Sequence, residues 1–203
     1  MSKTFAELGI SLQLQEGLSV LKIDIPTDIQ GKTIPVILNQ KEDVVVLAKT
    51  GSGKTAGFGL PLLQLIDTTN DKIQAIILAP TRELSNQIYT NLTEFSSKNT
   101  TVNIAVMSGG ISIKPQIERL KNPAHIIVAT PGRLIDLITR GAIYLKNVSY
   151  LVLDEADEMV SAFKEDLESI INEIPSSHRT LLFTATLSGA VKQLAQNYMS
   201  KQV

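Results

Sequence analysis

Cysteine is absent from the 203-residue sequence, which excludes disulfides and thiolate metal sites and fits a reducing compartment. Tryptophan is absent too, and four Tyr and five Phe are too few for an aromatic platform that stacks single-stranded bases. No apolar run approaches membrane-spanning length, and the opening Met1-Ser2-Lys3-Thr4 is polar. Nor is there an excess of one charge: 19 basic residues face 20 acidic ones, for a formal net charge of −1. That excludes a generally basic nucleic-acid binder, so any nucleic acid must be held by a local patch and by backbone amides. The expectation is a soluble, intracellular, cytoplasmic chain with no membrane partner.

What the sequence does contain is alternation. Apolar, strand-like runs recur at Val44–Ala48, Ala75–Ala79, Asn103–Met107, Ile126–Ala129, Tyr150–Asp154 and Thr180–Thr184. Helical patterns lie between them, as in Arg82–Ser97, where Leu84, Ile88, Leu92 and Phe95 share a face. Strands apolar on both faces, separated by helices, imply an α/β fold: a parallel sheet flanked by helices on both faces. Neither repeats nor a linker break the chain, so residues 1–203 read as a single domain. In such a sheet ligands bind beyond the carboxyl ends of the strands. The polar clusters follow those ends: Lys49–Thr55, Pro80–Glu83, Ser108–Gly110, Thr130–Arg133, Asp154–Asp157 and Thr184–Thr186.

The most informative stretch is Ala48-Lys49-Thr50-Gly51-Ser52-Gly53-Lys54-Thr55. It follows the β-branched run Val44-Val45-Val46-Leu47 and precedes the apolar segment Gly59–Ile66, a helix if Pro61 is tolerated. Strand, glycine-rich turn and helix is the setting of a phosphate-binding loop. Gly51 and Gly53 let backbone N–H groups converge on one phosphate cluster, and the helix N-terminus adds partial positive charge. Lys54 is expected on the terminal phosphates and the Thr55 hydroxyl on magnesium. The strict pattern opens with glycine; here that position is Ala48. The bland rival is a glycine-rich turn with a surface lysine.

The second anchor is Tyr150-Leu151-Val152-Leu153-Asp154-Glu155-Ala156-Asp157, an apolar strand ending in acid. Asp154 is expected to hold magnesium, largely through water, and Glu155 to take a proton from an attacking water. An acid-rich helix start, favourable with the helix dipole, is the competing explanation.

With these elements in place, the chain resembles the DEAD-box ATP-dependent RNA helicases, whose name Asp154-Glu155-Ala156-Asp157 spells. The resemblance spans nearly the whole chain, but only the first of the family's two RecA-like core domains. It implies an RecA-like P-loop NTPase domain with ATP and magnesium as cofactors. Phe5 and Lys22–Gln30 resemble the adenine-recognition segment: Phe5 would stack on the base, Pro26 and Thr27 would line it, and Gln30 would read its edge. Lys22 stands where the family usually has glycine. Thr27 and Gln30 also fit a capping box, in which Gln30 would face backbone and not ligand. Pro80-Thr81-Arg82, the doublet Gly109-Gly110, and Thr130-Pro131-Gly132-Arg133 resemble the segments that grip the RNA backbone. Thr130 before Pro131 is equally a good helix cap. Thr184-Ala185-Thr186 resembles the segment whose hydroxyls bond the last acid, here Asp157, and couple hydrolysis to RNA binding. His125 and His178 carry no pattern.

The resemblance implies a monomer acting on RNA without reading its sequence, together with a second RecA-like domain. The arginine-rich motif of that second domain is not in this sequence, and His178-Arg179 does not match it. Nucleotide binding with feeble hydrolysis and no unwinding is therefore expected of these residues alone, and the chain reads as part of a longer protein. The alternatives are a P-loop ATPase or DNA helicase without an RNA role, and an ATP-gated RNA-binding adaptor without turnover.

Overall fold

The structure is a computed structural model and describes residues 3–96 and 101–200. Elements are numbered in chain order: α1 Leu12–Val20, α2 Asp28–Asn39, β1 Val44–Leu47, α3 Lys54–Leu65, β2 Ala75–Leu78, α4 Arg82–Phe95, β3 Ile104–Met107, α5 Lys114–Arg119, β4 Ile126–Ala129, α6 Pro131–Thr139, β5 Tyr150–Leu153, α7 Ala156–Ala162, α8 Lys164–Glu173, β6 Arg179–Thr184 and α9 Gly189–Tyr198. The six strands form one parallel sheet in the order β1-β6-β5-β2-β4-β3. All six apolar runs are strands. The residues just past three of them still donate to the neighbouring strand: Ala48 to Thr184 O, Ala79 to Ala129 O and Asp154 to Leu78 O, at 2.9–3.0 Å.

Alternation along each strand builds two cores, one per face. Val44, Val46, Ile77, Ile126, Val128, Leu181 and Phe183 join the helices α1–α4. Ile76, Leu78, Ile127, Ala129, Leu151, Leu153 and Leu182 join α6–α9. Phe183 meets Phe58 of α3 edge to face, with ring centroids 5.1 Å apart.

Pro61 sits inside α3, as the apolar segment required. Lacking an N–H, it leaves the Gly57 carbonyl without its helical donor. The Thr33 hydroxyl of α2 reaches that carbonyl at 3.4 Å. A Cβ on Gly57 would lie 2.9 Å from the same hydroxyl, so glycine there permits the close approach of α2 and α3. Helix α3 begins earlier than the segment expected from Gly59, at Lys54. Helix α4 ends at Phe95, with Ser96 as its C-cap; Ser97 lies outside the described residues. Among the described residues no helix is long and apolar enough to cross a membrane.

Candidate active site

The turn after β1 is built by its own backbone. Ser52 donates both its N–H (3.3 Å) and its hydroxyl (2.7 Å) to the Lys49 carbonyl. Gly51 and Gly53 take φ of 80° and 93°, a region unfavourable to side chains. Ala48 has no such demand: it continues the ladder onto β6, which explains why alanine serves in the position the strict pattern gives to glycine. Gly53 is the N-cap of α3 and offers no capping side chain. The first N–H groups of α3 therefore have no side-chain acceptor at the loop.

Helix α2 clamps this turn from behind. Thr27 Oγ1 donates to Ser52 O at 3.0 Å, and Gln30 Nε2 donates to Gly53 O at 3.1 Å. A Cβ on Gly53 would fall 2.5 Å from Gln30 Nε2 and 3.0 Å from Thr27 Oγ1. Gln30 Oε1 accepts the Thr27 N–H at 2.9 Å, completing a capping box. Of the two readings of this pair, the structure displays the capping one: Gln30 is buried, with both ends of its amide on backbone. Pro26, half-buried, leads into the Thr27 cap. The Phe5 ring is buried in the core beside α1 and lines a separate cavity with Leu12, Leu18 and Ile23. Lys22 adopts φ 59°, which gives a physical reason for the glycine usual at that place.

Across the loop, the end of β5 delivers the acids. Lys54 Nζ stands 3.4 Å from Asp154 Oδ1 and 3.9 Å from Glu155 Oε1. Lys54 and Asp154 are both almost fully buried, yet the ammonium has no partner at hydrogen-bonding geometry. Burial pushes the Asp154 carboxyl above its ordinary range, and the Glu155 charge adds to this; Lys54 opposes both without cancelling them. Glu155 holds a left-handed backbone (φ 54°, ψ 51°) at the N-cap of α7. Its Oε1 accepts the Thr50 hydroxyl at 3.0 Å. Thr50, Lys54, Thr55, Asp154 and Glu155 line one cavity of about 460 Å³, walled opposite by Leu84, Gln87 and Asn91 of α4. A smaller cavity of about 360 Å³, lined by Asp71, Lys72, Lys121 and Tyr144, lies at the other end of the strands, away from the glycine-rich loop.

The chemistry of the larger cavity is readable from its donors. A buried ammonium without a hydrogen-bond partner, beside a glycine-rich helix start, suits a polyanion. A hydroxyl and two carboxylates are hard oxygen donors that suit magnesium. Among the described residues no three His, Cys, Asp or Glu side chains cluster as a metal cage. A cation here would thus share its shell with water and with oxygens of the anion. Beside the cavity, Asp157 Oδ2 accepts the Thr186 N–H (3.1 Å) and hydroxyl (2.7 Å). Partial burial raises the Asp157 carboxyl, but the Thr186 and Thr184 hydroxyls and nearby backbone N–H groups outweigh it and hold the group below its ordinary value. Thr184 also donates to Thr186 O at 2.9 Å.

The remaining motifs gather on the other half of the rim, past the adjacent strands β2, β4 and β3. Pro80 is buried, Thr81 caps α4 by accepting the Leu84 N–H at 3.2 Å, and Arg82 is exposed. Thr130 precedes Pro131 at the start of α6, but its hydroxyl does not cap that helix. It accepts the Gly109 N–H at 3.2 Å instead. Arg133 Nη2 donates to Ile111 O at 2.8 Å, and a Cβ on Gly110 would meet Arg82 Nη1 at 3.8 Å. The exposed Gly132 completes this edge.

Residues 27–194 match the sequence profile described as DEAD/DEAH box helicase. The chain belongs to that family. It is 44% identical to the DEAD-box ATP-dependent RNA helicase CshA of Bacillus cereus over 98% of its length and 38% of the relative's. To the ATP-dependent RNA helicase DeaD of Escherichia coli it is 43% identical, covering 32% of that protein. The crystal structure of a DEAD box protein from the hyperthermophile Methanococcus jannaschii superposes with a TM-score of 0.94 at 42% identity, over the whole of this chain and 56% of that one. The chain thus spans roughly a third to a half of the relatives it matches, and its sheet and helices are those of a RecA-like DEAD-box domain.

Two buried charges of this helicase domain were not singled out in the sequence. Asp43 accepts the Thr180 N–H and both the N–H and hydroxyl of Ser200. Arg179 donates to the carbonyls of Val36, Ile37 and Glu42, closing the C-terminal end of α2. Burial lowers the Arg179 pKa, against Tyr150, Asp43 and Glu42. The signal available was position: each is a charge set at the start of an apolar strand run.

Proposed function

We propose that this chain is the ATP-binding domain of an ATP-dependent RNA helicase, working with a second RecA-like domain. It holds ATP and magnesium at the β1/β5 half of the rim and RNA backbone at the β2/β4/β3 half. The observation that carries the reading is the buried Lys54 ammonium, unpartnered by hydrogen bonds and facing Asp154 and Glu155 across one cavity. Such a group is satisfied by phosphate oxygens.

In this reading backbone amides after Gly51 and Gly53 and the Lys54 ammonium cradle the terminal phosphates. Thr55 and Asp154 hold magnesium, which when bound neutralises phosphate charge. Glu155 accepts the proton of the attacking water. The Thr50 hydroxyl fixes one Glu155 oxygen and leaves the other for that task. Thr186 and Asp157 join the acidic turn to β6 and carry the coupling between nucleotide and RNA. Arg82, Arg133 and the glycine loop hold the sugar-phosphate backbone without reading bases. Thr27 and Gln30 shape the phosphate loop from the adenine side. The cavity is lined by Lys54 but by no arginine among the described residues. An additional arginine is worth about 10³–10⁵ in rate in such enzymes, so slow hydrolysis is expected of these residues alone.

Calorimetric titration tests this. ATP with magnesium is expected to bind this chain, and Lys54→Ala to abolish binding. Single-stranded RNA is expected to bind better than DNA of equal length. Failure of ATP to bind removes the proposal, and equal binding of RNA and DNA favours the DNA-helicase alternative.

A further inference from the structure

The loop Ser108–Ile111, between β3 and α5, carries the glycine doublet and is held by three side chains. Thr130 Oγ1 accepts from Gly109 N, and Arg133 Nη2 donates to Ile111 O. The third is Gln116 of α5, whose Nε2 donates to Ser108 O at 3.0 Å. Gln116 lies outside every motif described above. It is 6% exposed, and the Ser108 it holds is 2% exposed. Its Oε1 has no hydrogen-bond partner, and neither does Arg133 Nη1. One unpaired acceptor and one unpaired donor thus sit on the two side chains that hold opposite ends of the same loop. Buried polar atoms without partners are uncommon, and each can form a hydrogen bond with a water or a ligand that reaches it.

We propose that Gln116 is a positioning residue for RNA: it sets the conformation in which Gly109-Gly110 and Arg133 meet the sugar-phosphate backbone. The inference rests on the RNA reading of this rim. Packing does not demand a glutamine here, because its helical neighbours Ile113, Ile117 and Leu120 are apolar and pack against the core. A leucine of similar volume fills the space but cannot hold the Ser108 carbonyl. The carbonyl end of the loop is then released, while Arg133 and Thr130 still bind its middle and far end. Gly110, at φ 76°, is free to follow.

The test uses this chain, a fluorescent single-stranded RNA and a salt series. Gln116→Leu is expected to raise the RNA Kd about tenfold, the equivalent of one lost buried hydrogen bond. The salt slope and the ATP Kd stay unchanged, because no phosphate contact is removed. Arg133→Ala, by contrast, lowers the slope by about one. Gln116→Glu keeps the length but loses the Nε2 donor, and is expected to weaken RNA as well; it serves if the leucine variant folds poorly. RNA affinity within twofold of the unmutated chain in both variants, with Arg133→Ala weakened, overturns the positioning role alone. Parallel loss of RNA affinity, ATP affinity and melting temperature reduces Gln116 to a structural residue. If the unmutated chain binds no RNA, or if Arg82→Ala and Arg133→Ala also leave binding untouched, the RNA reading of the rim falls and this inference with it.

Discussion

The Thr50 hydroxyl donates to Glu155 Oε1 at 3.0 Å, joining the phosphate loop to an acid that sits 105 residues away in a left-handed backbone conformation. A non-glycine residue is held in that region only where its surroundings enforce it. Glu155→Gln preserves an acceptor for Thr50 and the start of α7 while removing the base. ATP affinity is expected to stay within about threefold and single-turnover hydrolysis to fall by about 10²–10⁴. Unchanged turnover, measured as ADP formed, would favour the adaptor alternative.

The Lys54–Asp154 pair supports the fold as well as the chemistry. Removing one member of a buried pair typically costs about 3–5 kcal/mol, because the other charge is stranded. This pair lacks hydrogen-bond geometry, and Asp154 can take up a proton, so about 3 kcal/mol or less is expected for Lys54→Met. Adding Asp154→Asn should restore much of that stability. A urea double-mutant cycle measures the coupling; strictly additive losses would show that the two side chains do not interact.

Asp157 gives a pH dependence. Its folded pKa lies below the ordinary aspartate value, so its contribution to stability is fully present above that value. It is lost as pH falls from the unfolded pKa of about 3.9 through the folded one. Thr186→Val removes one of the hydroxyls responsible. Its Asp157 carboxyl is expected to titrate at higher pH by NMR, with a shallower loss of stability on acidification. A titration identical to that of the unmutated chain would contradict the assigned cause.

Lys22 carries local strain at φ 59°. A left-handed conformation costs an ordinary L-residue about 1–2 kcal/mol, partly offset in glycine by greater chain entropy. Lys22→Gly is therefore expected to leave stability unchanged or raise it by up to about 1 kcal/mol in thermal melts. A loss larger than that would show that the lysine makes contacts that matter.

The sheet was legible because buried parallel strands must be apolar on both faces, and Ile126-Ile127-Val128-Ala129 or Tyr150–Leu153 cannot be mistaken for an amphipathic helix. The rim followed from the same logic, since polar residues just past an apolar run must lie at a strand end. Side-chain direction was not legible. Gln30 and Thr27 allow two hydrogen-bonding schemes from one sequence, and only the position of Gly53 relative to α2 selects the capping scheme. The burial of Phe5 depends on how α1 packs, and α1 has no strong periodic signal. Thr130 shows the same limit: its sequence fits a cap, but the Gly109 N–H from a distant loop takes its hydroxyl. Asp43, Arg179 and Gln116 act through backbone carbonyls and amides brought close only by the fold.

The central claim is that Lys54, Thr55, Asp154 and Glu155 surround one triphosphate and its metal. A crystal structure of this chain with magnesium and a non-hydrolysable ATP analogue tests it directly. The account predicts phosphate density against the amides of residues 51–55 and Lys54 Nζ, with magnesium between those oxygens, Thr55 and Asp154. Analogue bound elsewhere, or a cavity at the ends of β1 and β5 left empty at saturating concentration, would contradict it.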